Sequence, residues 1–301
     1  MLLSTITRRK KIKKLIVIAL SVVALCYILS PVYWVIVSGF QTERALEDRP
    51  PHLVPTKDVV TTNHYYYIFT GKIPPDSTLM LQSMYTMSGT LVYPAIINSI
   101  VIAFFVTFIN LVLGFPAGHV FARYRFWADR KIFLLMLATR LLPSISIVIP
   151  MYIILNRVRL LDTKVALICI YTAMTLPFTI WILRAYFKNI PIAFEEAARI
   201  DGCGYLKMMV KVVFPLARPG IIAALIFAFM TSYGEFVFAT VLTQTIASKT
   251  QTAVLAALAQ GMSTSRGMIA AAATLSFLPP LLLATIFRKH VLAGVSVNLK
   301  F

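Results

Sequence analysis

The chain has 301 residues, 59% of them hydrophobic and 13% charged, and its 29 Lys and Arg against 11 Asp and Glu give a formal charge of +18. A soluble domain draws about a quarter of its residues from the charged set to coat its core, and this chain lacks that coat. Nucleic-acid binders cluster their bases on a polar surface. Here long uncharged runs separate them, which leaves a membrane protein with its bases in the loops.

A helix that crosses a bilayer needs about 20 mostly apolar residues. Six such runs occur, at 15–40, 98–121, 132–155, 165–187, 220–242 and 268–287. The first follows a basic tail, 1–14, but at 26 residues it exceeds the apolar region of a signal peptide, about 7–15 residues. No small-residue cleavage site follows, so it reads as an uncleaved anchor. Bases near span ends stay on the cytoplasmic side. With the N-terminus inside, the inner segments 1–14, 122–131, 188–219 and 288–301 hold 18 bases and the outer segments nine, while Arg140 and Arg184 lie within spans. The fold class is therefore an all-α membrane protein with six transmembrane helices and cytoplasmic N- and C-termini.

Between the first two spans, residues 41–97 contain Pro50-Pro51, Pro55, Pro74-Pro75 and Tyr65-Tyr66-Tyr67. This periplasmic segment is too polar to span and too short for a typical domain; it reads as a cap of short helices and loops. The core, 98–301, carries the other five spans. Each of these contains a breaker, namely Pro116, Pro143 with Pro150, Pro177, Gly234, and Pro279-Pro280, and proline removes a backbone donor and kinks a helix. The apolar stretch 252–259 is too short to cross.

The inner segment 188–219 has the grammar of helix, turn and helix. Pro191 suits a first helical position, Glu195 and Glu196 favour the positive helix start, and Gly202 and Gly204 suit a stop at positive φ. Beyond the turn, Leu206, Met209, Val210 and Val213 fall on one apolar stripe, with Lys207 and Lys211 opposite. Ala197 and Ala198 allow a second surface to approach the backbone, and Glu195, Glu196, Arg199 and Asp201 surround them with charge. Such a helix can fill a groove in a partner protein; the pattern fits equally an amphipathic helix lying on the membrane.

These residues carry a resemblance. Glu196-Ala197-Ala198, Asp201-Gly202, Phe214-Pro215-Leu216 and Pro219-Gly220 are similar to the EAA loop in permease subunits of binding-protein-dependent ABC importers, and Ile-Asp-Gly after the alanines resembles the carbohydrate branch, of the maltose-permease type. The likeness extends over Asn98-Ser99, Ala122 to Phe126, Ile149 to Tyr152, Leu161-Asp162-Thr163, Pro177-Phe178 with Trp181, Glu235-Phe236, and Ala271 to Ala273 with Pro279. Two departures stand out. Tyr233-Gly234 replaces the family's usual Trp-Asn, and the tail ends Val-Asn-Leu-Lys-Phe.

The resemblance implies the type I importer permease fold in a bacterial inner membrane. It also implies a homologous second permease, two ATPase subunits, a solute-binding protein and an oligosaccharide substrate, with lipid around the spans. In that scheme the loop is a coupling helix, and Glu195, Glu196, Ala197, Ala198, Asp201 and Gly202 are candidate ATPase contacts. The chain itself binds no cofactor in this reading. The only Gly-Lys pair, Gly71-Lys72, lacks the other residues of a phosphate-cradling loop, so ATP and Mg belong to the partner ATPase.

His52, His64, His119 and His290 are scattered, and Cys26, Cys169 and Cys203 form no ligand spacing; neither catalytic residues nor a metal site are expected. A charge at the bilayer centre costs about 2.5–3.5 kcal/mol on insertion scales, so Arg140 and Glu235 must face protein or water. With Tyr233 they are the candidate translocation path, the alternative for Arg140 being a structural pairing with Glu235 or with backbone carbonyls. Arg140 and an outer excess of nine bases over six acids, Asp76 among them, lean toward an acidic oligosaccharide such as alginate. Neutral malto-oligosaccharides or a stand-alone secondary transporter are the alternatives.

Overall fold

The computed structural model describes residues 2–75, 85, 87–261 and 264–296; Asp76 and the tail 297–301 lie outside these. Helices dominate, and among the described residues the only extended pairing is an isolated bridge between Gln41 and Val60. Among the described residues, five helices are long and apolar enough to cross a membrane: Lys13–Gly39, Val92–Arg123, Lys164–Asn189, Tyr205–Tyr233 and Arg266–Arg288. The chain divides into two compact units, 1–90 with 258–275 and 91–257 with 276–301.

In the first unit, α1 (Leu2–Gly39) is apolar all round beyond Lys14, and none of its most apolar stretch is buried. A helix that exposes the consecutive side chains Leu15, Ile16, Val17 and Ile18, and so every face, is matched to lipid rather than water. Its end, Gly39, sits so close to α14 (Arg266–Ser296) that a Cβ there would meet the Ala271 backbone at 3.0 Å. Short helices follow, as expected for the cap: α2 (Glu43–Glu47), α3 (Asn63–Thr70) and α4 (Met87–Thr90). The buried Glu43 carboxylate accepts hydrogen bonds from Ser265 Oγ at 2.8 Å and from the backbone N–H groups of Arg266 and Gly267 at 2.9 and 3.3 Å. It thereby caps the start of α14, where free donors and the helix dipole both favour an anion.

The second unit is built on α5 (Val92–Arg123), α8 (Lys164–Asn189) and α11 (Phe214–Tyr233), each packed on the other two. Small residues bring the backbones together, as is usual between membrane helices. A Cβ at Gly114 or Gly118 would come to 2.8 Å from Thr179 and Leu183, and one at Gly220 would overlap the Tyr186 ring. One interior cluster gathers Ile102, Val106, Leu167, Tyr171, Phe238 and Leu242; the other gathers Leu183, Phe187, Met208, Val213, Ala217 and Ile221.

Two spans depart from expectation. The stretch 132–155 is not one helix: Asp129–Leu141, comprising α6 (Asp129–Ala138) and a 3-10 turn, meets α7 (Ser144–Arg157) at 95°. Pro143 disfavours helical backbone in the residue before it, and Leu142 is extended at φ −74°, ψ 123°. A sixth span exists only if this bent pair counts as one. The fifth span, expected at 220–242, begins instead at Tyr205 and ends at Tyr233, with the short α12 (Val237–Leu242) beyond a break.

The cause lies at Pro215. The π-helical turn Met209–Val213 lets the Phe214 N–H bond to Met209 O, five residues back, so the helix widens around the proline instead of stopping. The second helix of the 188–219 segment, starting with α10 (Tyr205–Met208), and the span are thus one rod.

Connectors are pinned by side chains. Asn98 Nδ2 donates to the carbonyls of Ile246 and Lys249 at 2.8 and 3.0 Å, and Ser99 Oγ accepts from the Gln251 N–H at 2.9 Å, at the start of α13 (Gln251–Gln260). That short helix covers the expected 252–259 stretch.

Candidate functional site

Helix α9 (Ala193–Ile200) presents two unlike faces. Glu195 and Ala198 are buried, at 3% and 6% exposure, while Glu196, Ala197, Arg199 and Ile200 face outward. Gly202 ends the helix at φ +77°, a conformation glycine adopts without a Cβ penalty, and Cys203 N–H closes the turn on Ala198 O at 2.9 Å. Gly204, expected at positive φ, has φ −65° and starts the next helix. The stripe beyond the turn also shifts. Met208, Met209 and Val213 are buried, whereas Leu206 and Val210 are exposed.

Glu195 is the anchor of this segment. Its Oε1 accepts from Arg123 Nε at 2.7 Å and its Oε2 from His119 Nε2 at 3.0 Å, both on the end of α5. With Nε2 carrying the proton, His119 Nδ1 is free to accept from the Tyr205 hydroxyl, 3.2 Å away, and every group in the set is satisfied. Arg123 also donates to Ile190 O at 2.7 Å, just before α9. His119 is wholly buried against Phe187.

Of the candidate ATPase contacts, Glu195 and Ala198 face inward, while Glu196, Ala197, Asp201 and Gly202 lie on the surface. His119 and Arg123 were missed as a site. The available signal was their four-residue spacing at a span end, which sets imidazole and guanidinium on one helix face.

The intramembrane candidates separate as well. Arg140 is half-buried, lies 5.8 Å from the Phe227 ring centre, and lines a cavity of about 590 Å³ with Thr139, Ser144, Met151, Met174 and Phe238. Glu235 is not its partner. Instead its carboxylate accepts from Tyr171 OH at 2.7 Å and from the N–H groups of Phe238 and Ala239 at 3.1 and 3.2 Å, capping α12 at the break. Tyr233 is 3% exposed and donates to Ser276 O at 3.1 Å, so it packs in the interior rather than on the cavity wall. Among the described residues Arg140 has no ion pair.

At the other end of α8, Asp162 holds a connector. Gln244 N–H donates to its Oδ1 at 2.8 Å, Thr245 N–H at 3.1 Å, and the Ser248 hydroxyl bonds it too. Desolvation pushes the carboxyl up, but the Gln244, Ser248 and Thr245 donors together outweigh that and bring its pKa down to about 2.

Residues 110–297 match the family model described as binding-protein-dependent transport system inner membrane component. The chain belongs to this family. It is 31% identical over 272 residues to the trehalose transport system permease protein SugB of Mycobacterium tuberculosis, covering 90% of this chain and 91% of that protein. With the trehalose/maltose transport system permease protein MalG of Thermococcus litoralis it shares 31% identity, over 69% of this chain and 76% of the other.

Among solved structures, a chain from a bacterial ABC transporter involved in the import of the acidic polysaccharide alginate superposes with a TM-score of 0.72. The identity is 18%, and the match covers 94% of this family member and 97% of that chain. That likeness establishes the shared fold.

Proposed function

We propose that this permease forms, with a homologous second permease, the membrane path of an ABC importer for oligosaccharides. Two separate ATPase subunits would drive it, and a soluble binding protein would deliver the sugar. The observation that carries the reading is the division of labour on α9. Its inner face is tied to α5 through Glu195, and its outer face offers Glu196, Ala197, Asp201 and Gly202 beside exposed Phe194, Ile200 and Leu206. A partner that closes on that outer face would move α5 through the anchor and the fifth span through the continuous rod from Tyr205.

The chain would do no chemistry itself. It would sit in a bacterial inner membrane with α9 on the cytoplasmic side, since the segments rich in bases lie at that end.

The finer reading of the substrate is an acidic oligosaccharide. Its support is Arg140, a half-buried cation at a cavity with no acid paired to it among the described residues; such a cation favours a carboxylate arriving on the sugar. The names of the two relatives favour the neutral alternative. Proteoliposomes loaded with ATP and supplied with the binding protein decide between them: uptake of uronate oligomers supports the reading, and uptake of maltodextrins alone overturns it. Co-purification with the ATPase tests the coarser reading; it should be lost in Glu196→Lys or Gly202→Val, and transport that persists without any ATPase would contradict it.

A further inference from the structure

A second pocket lies where α5 ends and α6 begins, on the same end of the unit as α9. It has a volume of about 540 Å³ and is lined by Arg125, Asp129, Arg130, Phe133, Leu134 and Arg184. Three arginines thus line it beside one aspartate. Arg184 is held in place, with Nε donating to Phe121 O at 3.1 Å and its Cζ 4.3 Å from the Phe133 ring centre. By contrast, among the described residues the guanidinium groups of Arg125 and Arg130 have neither an ion pair nor a hydrogen bond. Clustered like charges around an open pocket repel one another unless an anion sits between them.

The surroundings indicate which anion. Trp127, in the turn between the two helices, is 93% exposed, and Leu134, Leu135 and Ile132 next along α6 are exposed and apolar. A bare tryptophan beside bases at a span end is the signature of the membrane–water interface. A basic pocket at that depth is placed for a lipid headgroup, with the apolar flank along the acyl chains.

We infer that Arg125, Arg130 and Arg184 form a site for the phosphate headgroup of an anionic phospholipid, of phosphatidylglycerol chemistry, in the cytoplasmic leaflet. This rests on the membrane orientation proposed above. The occupant is a lipid and not a protein acid because the pocket wall is continuous with the apolar exposed face of α6. The site also adjoins the anchor: Arg123 and Tyr124, the residues just before Arg125, bond to Glu195 and Arg199. A bound headgroup would therefore stiffen the turn from which α9 hangs.

The test uses the full chain, purified in mild detergent and returned to nanodiscs of mixed phosphatidylcholine and phosphatidylglycerol, with retained lipid counted by native mass spectrometry. Phosphatidylglycerol should be enriched, and Arg125→Gln with Arg130→Gln should cut the enrichment about tenfold while circular dichroism and phosphatidylcholine retention hold. The pair Lys211→Gln and Arg218→Gln removes two exposed bases elsewhere at that end and should leave the enrichment intact. The inference is overturned if wild type shows no enrichment, if the control pair lowers it equally, or if glycerol phosphate in solution displaces the lipid as readily as excess phosphatidylglycerol does. Loss of phosphatidylcholine retention in wild type would instead strike at the membrane reading itself.

Discussion

Glu195 and Glu235 are both acids in a mostly apolar chain, and they are used differently. Glu235 accepts from two N–H groups of the next helical turn and from one distant phenol, that of Tyr171 on α8. It stabilises a break in a helix. Glu195 is satisfied by side chains 72 and 76 residues away, Arg123 and His119, on a different helix. It ties one element to another. The first arrangement sets local shape; the second transmits displacement, because neither helix can move without carrying or breaking the link.

Removing the tie should therefore cost most. Glu195→Ala leaves a buried guanidinium and imidazole without their acid, and breaking a buried ion pair from one side costs about 3–5 kcal/mol. Hydrogen exchange across 193–205 should accelerate sharply, with little change along 164–183. A uniform rise along the whole chain would show instead that the contact supports the fold at large.

Glu235→Gln is the milder counterpart, since the amide oxygen still accepts while the charge-assisted part is lost, a change of about 1–2 kcal/mol. Its effect should stay within 233–243 and the turn of α8 around Tyr171. Should it loosen 193–205 as well, the contrast between the two acids fails.

The smallest effect concerns Asp162. Its folded carboxyl, at about 2, lies below its ordinary 3.8. The stabilisation is thus present in full above about pH 4 and lost as pH falls through 2. A spin label at Gln244 should become mobile across that window, and Asp162→Asn should remove the pH dependence. Mobility that changes near neutral pH in both proteins would point to another group.

These contrasts also explain what the sequence could and could not show. Spans such as 98–121 and 165–187 are legible because a 20-residue apolar run has few other uses. The break at Pro143 is legible as a breaker, but not as a 95° turn. The true start of the fifth span was not legible, because no residue pattern marks the single π turn that carries the helix past Pro215. At the site, the run Glu195 to Gly202 was legible as a block. Which of two adjacent glutamates faces inward was not, since that depends on His119 and Arg123, brought near only by packing.

The central claim is that α9 is anchored through Glu195 and docks through Glu196, so the most direct measurement compares Glu195→Gln with Glu196→Gln in the assembled transporter. Both ATPase co-purification and ATP-driven uptake are recorded. The account predicts that Glu195→Gln keeps the ATPase bound and loses most uptake, while Glu196→Gln loses the ATPase. Equal loss of the ATPase in both, or full uptake in Glu195→Gln, would contradict it.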